Sequence, residues 1–273
     1  MTDRRLTPAN ARAALDSLRG VVDAPRYVAG EAARVAVPLV DLDRTPDGPR
    51  DRQLLLGDGV TVIDRHQGRA FVQAAKDGYC GYVPETALGS AGAPTHRVIA
   101  PATHLYPQPK VQVHELSALS FGSLLTVTGT AERFAETPDG FVPFQHLRAL
   151  ADPLTDPVAV AGLFLGTPYL WGGNSRAGID CSGLVQAALL ACGKDCPGDS
   201  DLQAQSVGRA LLPEEALRPG DLIFWSGHVA MVADAERIIH ATGHRMAVVH
   251  EDTEAAVARI AAAGQPVLAR RRP

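Results

Sequence analysis

Between Arg34 and Pro84 the apolar residues fall into short runs: Arg34 to Pro38, Leu54 to Ile63, Ala70 to Ala74 and Asp77 to Pro84. Glycines, Asp-Gly pairs and the Asp/Pro/Gly-rich loop from Asp43 to Arg52 separate them. Short strands cut by such turns predict a small barrel. The rhythm then returns. Leu119 to Val127 echoes the segment around Leu56-Gly57, and Pro138 to Pro143 echoes Asp77 to Pro84. In each copy a leucine, Leu88 or Leu147, follows the proline by four positions. Self-similarity on this scale predicts a duplicated module. Ahead of both copies, Thr7-Pro8 reads as N-cap and first helical residue and Gly20 as a stop. That predicts a short helix with Leu15 and Leu18 on its buried side.

A different pattern begins after Ala151. Pro153 and Pro157, each preceded by an aspartate, mark a boundary, and Val158 to Leu165 reads as a short helix. A Gly-rich loop from Tyr169 runs into Asp180-Cys181-Ser182 and then a helix-forming stretch, Gly183 to Cys192, that stops at Gly193-Lys194. Its residues leave almost no polar face, so the helix is expected to be buried. Leu222 to Trp225, Gly227 to Val232 and Arg237 to Ala241 read as strands, and Thr253 to Ala263 has helical spacing. Val267 to Ala269 reads as a last strand before a solvated basic end, Arg270 to Arg272.

Two places carry candidate chemistry. Asp180 is a good N-cap, which puts Cys181 in the first helical turn. A thiol there faces unpaired backbone N–H groups and the positive end of the helix dipole, and both favour the nucleophilic thiolate. Buried cysteine is more often inert packing, so a second constellation has to decide. It lies in the hairpin downstream. With the turn centred on Asp234, His228 sits directly opposite His240, and opposed side chains share a face about 5 Å apart. One imidazole can then act as base and the other orient it.

The composition is that of an ordinary globular chain: 273 residues, 46% hydrophobic and 21% charged, with a net charge of −4. No basic block supports nucleic-acid binding. The four cysteines, Cys80, Cys181, Cys192 and Cys196, form no paired framework. Cys192 and Cys196 lack a second Cys/His pair at zinc-site spacing, so no metal or other cofactor is expected. The first twenty residues contain no apolar signal core, and no run is long enough to span a bilayer; a cytoplasmic location without membrane contact is therefore expected. Nothing in the sequence implies a protein partner.

DCSGLV after a YLWGG loop, RPGDLIFW before GHVAMV, and RIIHA together resemble the NlpC-type cysteine peptidases of bacterial cell-wall peptides, over about residues 152–273. The two repeated modules look like bacterial SH3-like domains. The combination resembles the three-domain γ-D-glutamyl-L-diamino-acid endopeptidases of murein-peptide recycling. The resemblance implies an α+β papain-like catalytic domain preceded by two small all-β SH3-like barrels. The expected division is a helical segment at 1–30, barrels at 31–90 and 91–151, and the catalytic domain at 152–273. It further implies Cys181 as nucleophile, His228 as base, His240 as the third polar residue and the Tyr169 hydroxyl as an oxyanion donor. The implied substrate is a murein peptide with a free N-terminal L-Ala. Substrate contacts are expected from Asp199, which would face the L-Ala ammonium, and from Ser200, Asp180, Ser182, Trp171 and Tyr79, the last in a turn of the first barrel. The family commonly has an arginine before Asp199-Ser200; here Gly198 stands in its place. Acyl transfer through the same thioester, or a non-catalytic murein-fragment sensor, are the alternatives; the complete Cys181, His228 and His240 set argues against the sensor.

Overall fold

The turn at Gly57 and its counterpart at Gly122 show how the N-terminal half is built. In a computed structural model, which describes residues 3–90, 92–212 and 214–273, the Gly57 N–H donates to the Val35 carbonyl and the Gly122 N–H to the Val98 carbonyl, both at 2.9 Å. Each valine N–H in turn donates to the carbonyl of the residue after the glycine, Asp58 or Ser123. Both glycines have positive φ, 82° and 91°. The echo in sequence is thus an echo in backbone geometry. It recurs at the end of each copy: Pro84 and Pro143 each precede one turn of 3₁₀ helix, Glu85–Ala87 and Phe144–His146, which delivers a leucine to the next strand.

The chain divides into two units, Met1–Asp152 and Pro153–Pro273. In the first, β1 (Glu31–Val35), β2 (Leu39–Asp43), β3 (Arg50–Leu55), β4 (Gly59–His66), β5 (Arg69–Ala74), β6 (Cys80–Pro84) and β7 (Leu88–Ser90) form an antiparallel sheet in the order β3-β2-β6-β5-β4-β1-β7. Its strands curl around Val35, Leu42, Leu54, Val60, Val72 and Val83. The predicted loop from Asp43 to Arg52 is shorter than expected, because β3 already begins at Arg50. Polar residues hid that strand, yet Asp51, Arg52 and Gln53 are all buried. The second copy is more fragmentary. His96–Val98 lies between Leu124–Leu125 and Leu147–Ala149, Ala102–Leu105 pairs with Ser117–Ser120, and Gly129 to Pro143 forms a three-stranded meander. Val98, Leu105, Leu119, Leu125, Val142 and Leu147 make its core, to which the first copy lends Leu56.

The predicted N-terminal helix does not form. Ala14–Leu15 pairs in parallel with Tyr27–Val28, and only Asp16–Leu18 makes a 3₁₀ turn. The fully buried residues are Ala13 and Ala14, while Leu15 and Leu18 are only partly buried. The Asn10 side chain accepts from the N–H groups of Arg12 and Ala13, and this local turn competes with helix propagation.

In the second unit, α1 (Pro157–Gly162) starts one residue before the predicted Val158, with Asp156 capping it and proline at the first helical position. Then come α2 (Cys181–Ala191), α3 (Ser200–Ser206), β8 (Arg209–Ala210), β9 (Leu222–Trp225), β10 (His228–Val232), β11 (Arg237–Thr242), β12 (Ala247–Asp252), α4 (Thr253–Ala262) and β13 (Ala269–Arg272). The sheet runs β8-β13-β9-β10-β11-β12 and is antiparallel throughout. Alternation along β9 to β11 sends Ile223, Trp225, Ala230, Val232 and Ile238 to the face covered by Ala256 and Ile260 of α4. The basic end is not a solvated tail: it is β13 itself. Arg272 pairs at 2.7 Å with Asp221, which is 1% exposed, and Arg271 donates to the carbonyls of Ala204, Val207 and Gly208 at the end of α3. A buried carboxylate and unpaired helix-end carbonyls demand donors, and the arginines supply them.

Gly57 gives a stability test. A Cβ there would sit 2.2 Å from the Leu124 carbonyl oxygen, whereas Gly68, with φ of 74°, has nothing within 4 Å. Gly68→Ala is expected to lower unfolding free energy by about 1–2 kcal/mol, the cost of a left-handed alanine. Gly57→Ala is expected to cost clearly more. Equal shifts in the denaturant midpoint of the two variants would refute the close approach.

Candidate active site

The start of α2 is built around one carboxylate. Asp180 Oδ1 accepts from the Gly183 N–H at 2.6 Å and from Ser182 Oγ at 3.0 Å, and Oδ2 accepts from the Gly172 N–H at 2.9 Å. Asp180 thereby caps the helix and ties the Gly-rich loop to it. Gly183 completes the joint, since a Cβ there would lie 2.6 Å from the Gly173 carbonyl oxygen. Asp180 and Ser182 are buried, at 7% and 4% exposure, so their side chains belong to the framework that holds Cys181. Gln203 of α3 braces the same point from behind. Its Nε2 donates to the carbonyls of Ser182 and Pro197 at 3.0 and 2.9 Å.

Cys181 is the first residue of α2 and is 6% exposed. Its Sγ lies 4.0 Å from the carbonyl oxygen of Gly227, the residue before His228. The two histidines meet through a hydrogen bond, His228 Nε2 to His240 Nδ1, of 3.0 Å. Their register differs from the sequence expectation. Met231 pairs with Ile239 and Val232 with Ile238, so the turn centres on Ala235 and not on Asp234. Moving the centre by one residue moves each partner by two. The two rings therefore stay on one face but sit diagonally, with centroids 5.2 Å apart.

The chain of hydrogen bonds continues beyond the residues the motifs single out. His240 Nε2 lies 3.0 Å from Glu251 Oε2 on β12. Glu251 in turn accepts from Arg259 of α4, Oε1 from Nε at 3.0 Å and Oε2 from Nη2 at 2.7 Å. Glu251 pairs across the strands with Ile238, which leaves it diagonal to His240. Sequence reasoning stopped at His240: no motif marks Glu251, and a carboxylate just ahead of a helix is ordinary composition.

Electrostatics keep both rings neutral. Burial, reinforced by the neighbouring His240 and Arg259, lowers the His228 pKa to about 3. Burial lowers that of His240 to about 4, although Glu251 pulls the other way. The Trp225 indole covers His228, with ring centroids 5.6 Å apart. Burial raises the pKa of Glu251, but the hydrogen bonds and charge of Arg259, with His240, outweigh it and hold the group below the ordinary carboxylate range. Tyr169 is half-buried; burial and the adjoining Cys181 and Asp180 raise its phenol to about 12, so it remains a hydroxyl donor beside the thiol.

The remaining predicted contacts divide. Trp171 is 68% exposed on the loop ahead of Asp180. Asp199 is half-buried at the start of α3, and its side chain makes no capping hydrogen bond to that helix; Ser200, the first helical residue, is buried. Tyr79 is a correction. It is 2% exposed and belongs to the apolar core of the first barrel, so it is not an accessible turn hydroxyl. Its N–H donates to Asp77 Oδ1 at 3.0 Å.

Residues 166–262 match the NlpC/P60 family, and residues 42–88 match the bacterial dipeptidyl-peptidase Sh3 domain. The chain is 28% identical over 224 residues to a gamma-D-glutamyl-L-lysine dipeptidyl-peptidase of Bacillus cereus, covering 70% of this chain and 66% of that one. It is 31% identical over 156 residues to the protein of the same name in Bacillus subtilis, covering 51% of each. The chain thus spans between about half and two thirds of the length of these relatives. A solved NlpC/P60 family protein from Bacillus cereus has the same fold, with a TM-score of 0.75 at 24% identity over 89% of this chain and 99% of that chain.

The neutral histidine pair has a consequence for stability. In an unfolded chain both imidazoles take up protons near pH 6.5, but in the folded protein only near about 3 and about 4. Between those limits the unfolded state binds more protons. Stability is therefore fully present above about pH 6.5 and is lost as the pH falls through the window towards about 4. Thermal melts between about pH 7.5 and about pH 4 are expected to fall less steeply for His228→Gln/His240→Gln than for the parent. Identical slopes would show that the pair is not the source.

Proposed function

We propose that this chain, which carries an NlpC/P60 domain and a bacterial SH3 domain, is a cysteine endopeptidase of cell-wall peptides. The observation that carries the reading is the juxtaposition of Cys181, first residue of α2, with the strand bearing His228, itself hydrogen-bonded to His240. In this reading the Cys181 thiolate attacks the amide carbonyl, His228 passes its proton to the leaving amine, and water resolves the thioester. The Cys181 N–H at the helix start and the protonated Tyr169 hydroxyl stabilise the oxyanion.

The bond we assign is the amide between γ-D-glutamate and an L-diamino acid, in a peptide with a free N-terminal L-Ala. The names of the two Bacillus relatives support this choice. Asp199 is assigned to the free amine: a half-buried carboxylate at the start of α3 is the natural complement of an ammonium. Ser200 and the exposed Trp171 are assigned to the same substrate. The second repeated module is read as a further SH3-like barrel, on the strength of the duplicated glycine and proline turns.

Incubation with L-Ala-γ-D-Glu-L-Lys, and with its diaminopimelate counterpart, is expected to release L-Ala-γ-D-Glu and the free diamino acid, identified by mass. Cys181→Ala is expected to abolish turnover with the fold intact; near-parent turnover in that variant would remove the nucleophile assignment. Activity is expected to fall at acid pH, as His228 takes up a proton and can no longer accept that of Cys181.

The amine assignment has its own test. N-acetylation of the peptide is expected to lower kcat/KM by more than about tenfold, since it removes one member of a charge pair. Asp199→Asn is expected to narrow the gap between free and acetylated peptide. If the parent cuts both equally well, Asp199 does not read the amine.

A further inference from the structure

We infer that Glu251, anchored by Arg259, is a positioning residue that sets which nitrogen of His240, and through it which nitrogen of His228, carries the proton. The inference rests on the reading of Cys181 and His228 as nucleophile and base.

A neutral imidazole has one N–H and one lone pair, so a partner at one nitrogen dictates the state of the other. The Glu251 carboxylate can only accept, and it accepts two hydrogen bonds from the Arg259 guanidinium, which keeps it ionised and fixed in place. The proton of His240 must therefore sit on Nε2, 3.0 Å from Glu251 Oε2. His240 Nδ1 is left with its lone pair and accepts from His228 Nε2, at 3.0 Å. His228 in turn keeps its lone pair on Nδ1, the nitrogen not engaged by His240. That nitrogen is the one available to take the thiol proton.

The opposite tautomers have no place here. A His240 carrying its proton on Nδ1 would aim a lone pair at a carboxylate 3.0 Å away, and would leave His228 Nε2 as an acceptor with its proton on Nδ1. His228 could then not act as base towards Cys181. His240 is 0% exposed, so no water replaces the missing partner. The charged or titratable groups that act on His240 are His228 from β10, Glu251 from β12, Arg259 from α4 and His244 from the turn after β11. Of these only Glu251 is an anion. During turnover the proton leaves Cys181 Sγ for His228 Nδ1 and passes on to the leaving amine nitrogen. The transient positive charge on His228 faces the anion of Glu251 through His240, while Glu251 itself neither gains nor loses a proton.

The test uses the full chain with ring-¹⁵N-labelled histidine and the L-Ala-γ-D-Glu-L-Lys tripeptide. Near neutral pH the parent is expected to show the Nε2–H tautomer at both His228 and His240. Glu251→Gln keeps the shape but loses the obligate acceptor. It is expected to mix the tautomers of both rings and to lower kcat on the order of ten- to a hundredfold with KM unchanged. That is less than the roughly 10⁴-fold loss seen when an orienting carboxylate beside the base itself is neutralised. Arg259→Gln leaves the carboxylate without its anchor and serves if Glu251→Gln folds poorly; a smaller loss in the same direction is expected. Parent-like tautomers and kcat in the folded variants would overturn the inference. The ¹⁵N spectra are read without substrate, so they test it even if the parent proves inactive on the tripeptide, an outcome that would refute the proposed function instead.

Discussion

A buried imidazole must satisfy two nitrogens with one proton, and the second unit is arranged around that constraint. His240 has no access to water, so both of its nitrogens have to find partners inside the protein. They find His228 on one side and Glu251 on the other. Each partner comes from a different strand, and Glu251 depends in turn on α4 for Arg259. Four consecutive elements, β10, β11, β12 and α4, are thus tied into one line of hydrogen bonds that ends at the proposed base. The helix packed on the sheet does more than cover apolar surface. It supplies the cation that keeps the far end of the line negative.

Cys181, the proposed nucleophile, is held by a separate device with the same logic. Asp180 uses one oxygen to cap α2 and the other to clamp the loop at Gly172, so the position of Cys181 follows from a single carboxylate. Gln203 adds a brace that joins α3 to the carbonyl next to Cys181. Asp199, at the start of α3, is thereby tied through that helix to the framework around Cys181. Close packing enforces this arrangement: Gly183 leaves no room for a side chain against the Gly173 carbonyl.

The first unit uses repetition in place of a polar line. The same valine–glycine exchange and the same proline-led 3₁₀ turn occur twice, and both shape short strands into curved sheets. Leu56 extends into the second core, which explains why the Gly57 turn approaches Leu124 so closely.

The sequence alone determined what depends on local chemistry. Asp180 before Cys181 announced a capped helix start, Gly57 and Gly122 announced turns, and the alternation along residues 228–240 put two histidines on one face. Each of these follows from a period or a backbone preference acting within a few residues. The tertiary structure decided what depends on partners distant in the chain. The hairpin turn centred on Ala235, which made the histidines diagonal neighbours. Arg271 and Arg272, read as a solvated end, became a strand because Asp221 and the carbonyls ending α3 needed donors. The expected N-terminal helix gave way to a turn held by the Asn10 side chain. Tyr79, expected in an accessible turn, went into the barrel core. Glu251 carried no signal at all, because a carboxylate ahead of a helix is ordinary composition. Only the fold, by leaving one buried nitrogen of His240 in need of an acceptor, gave it a role.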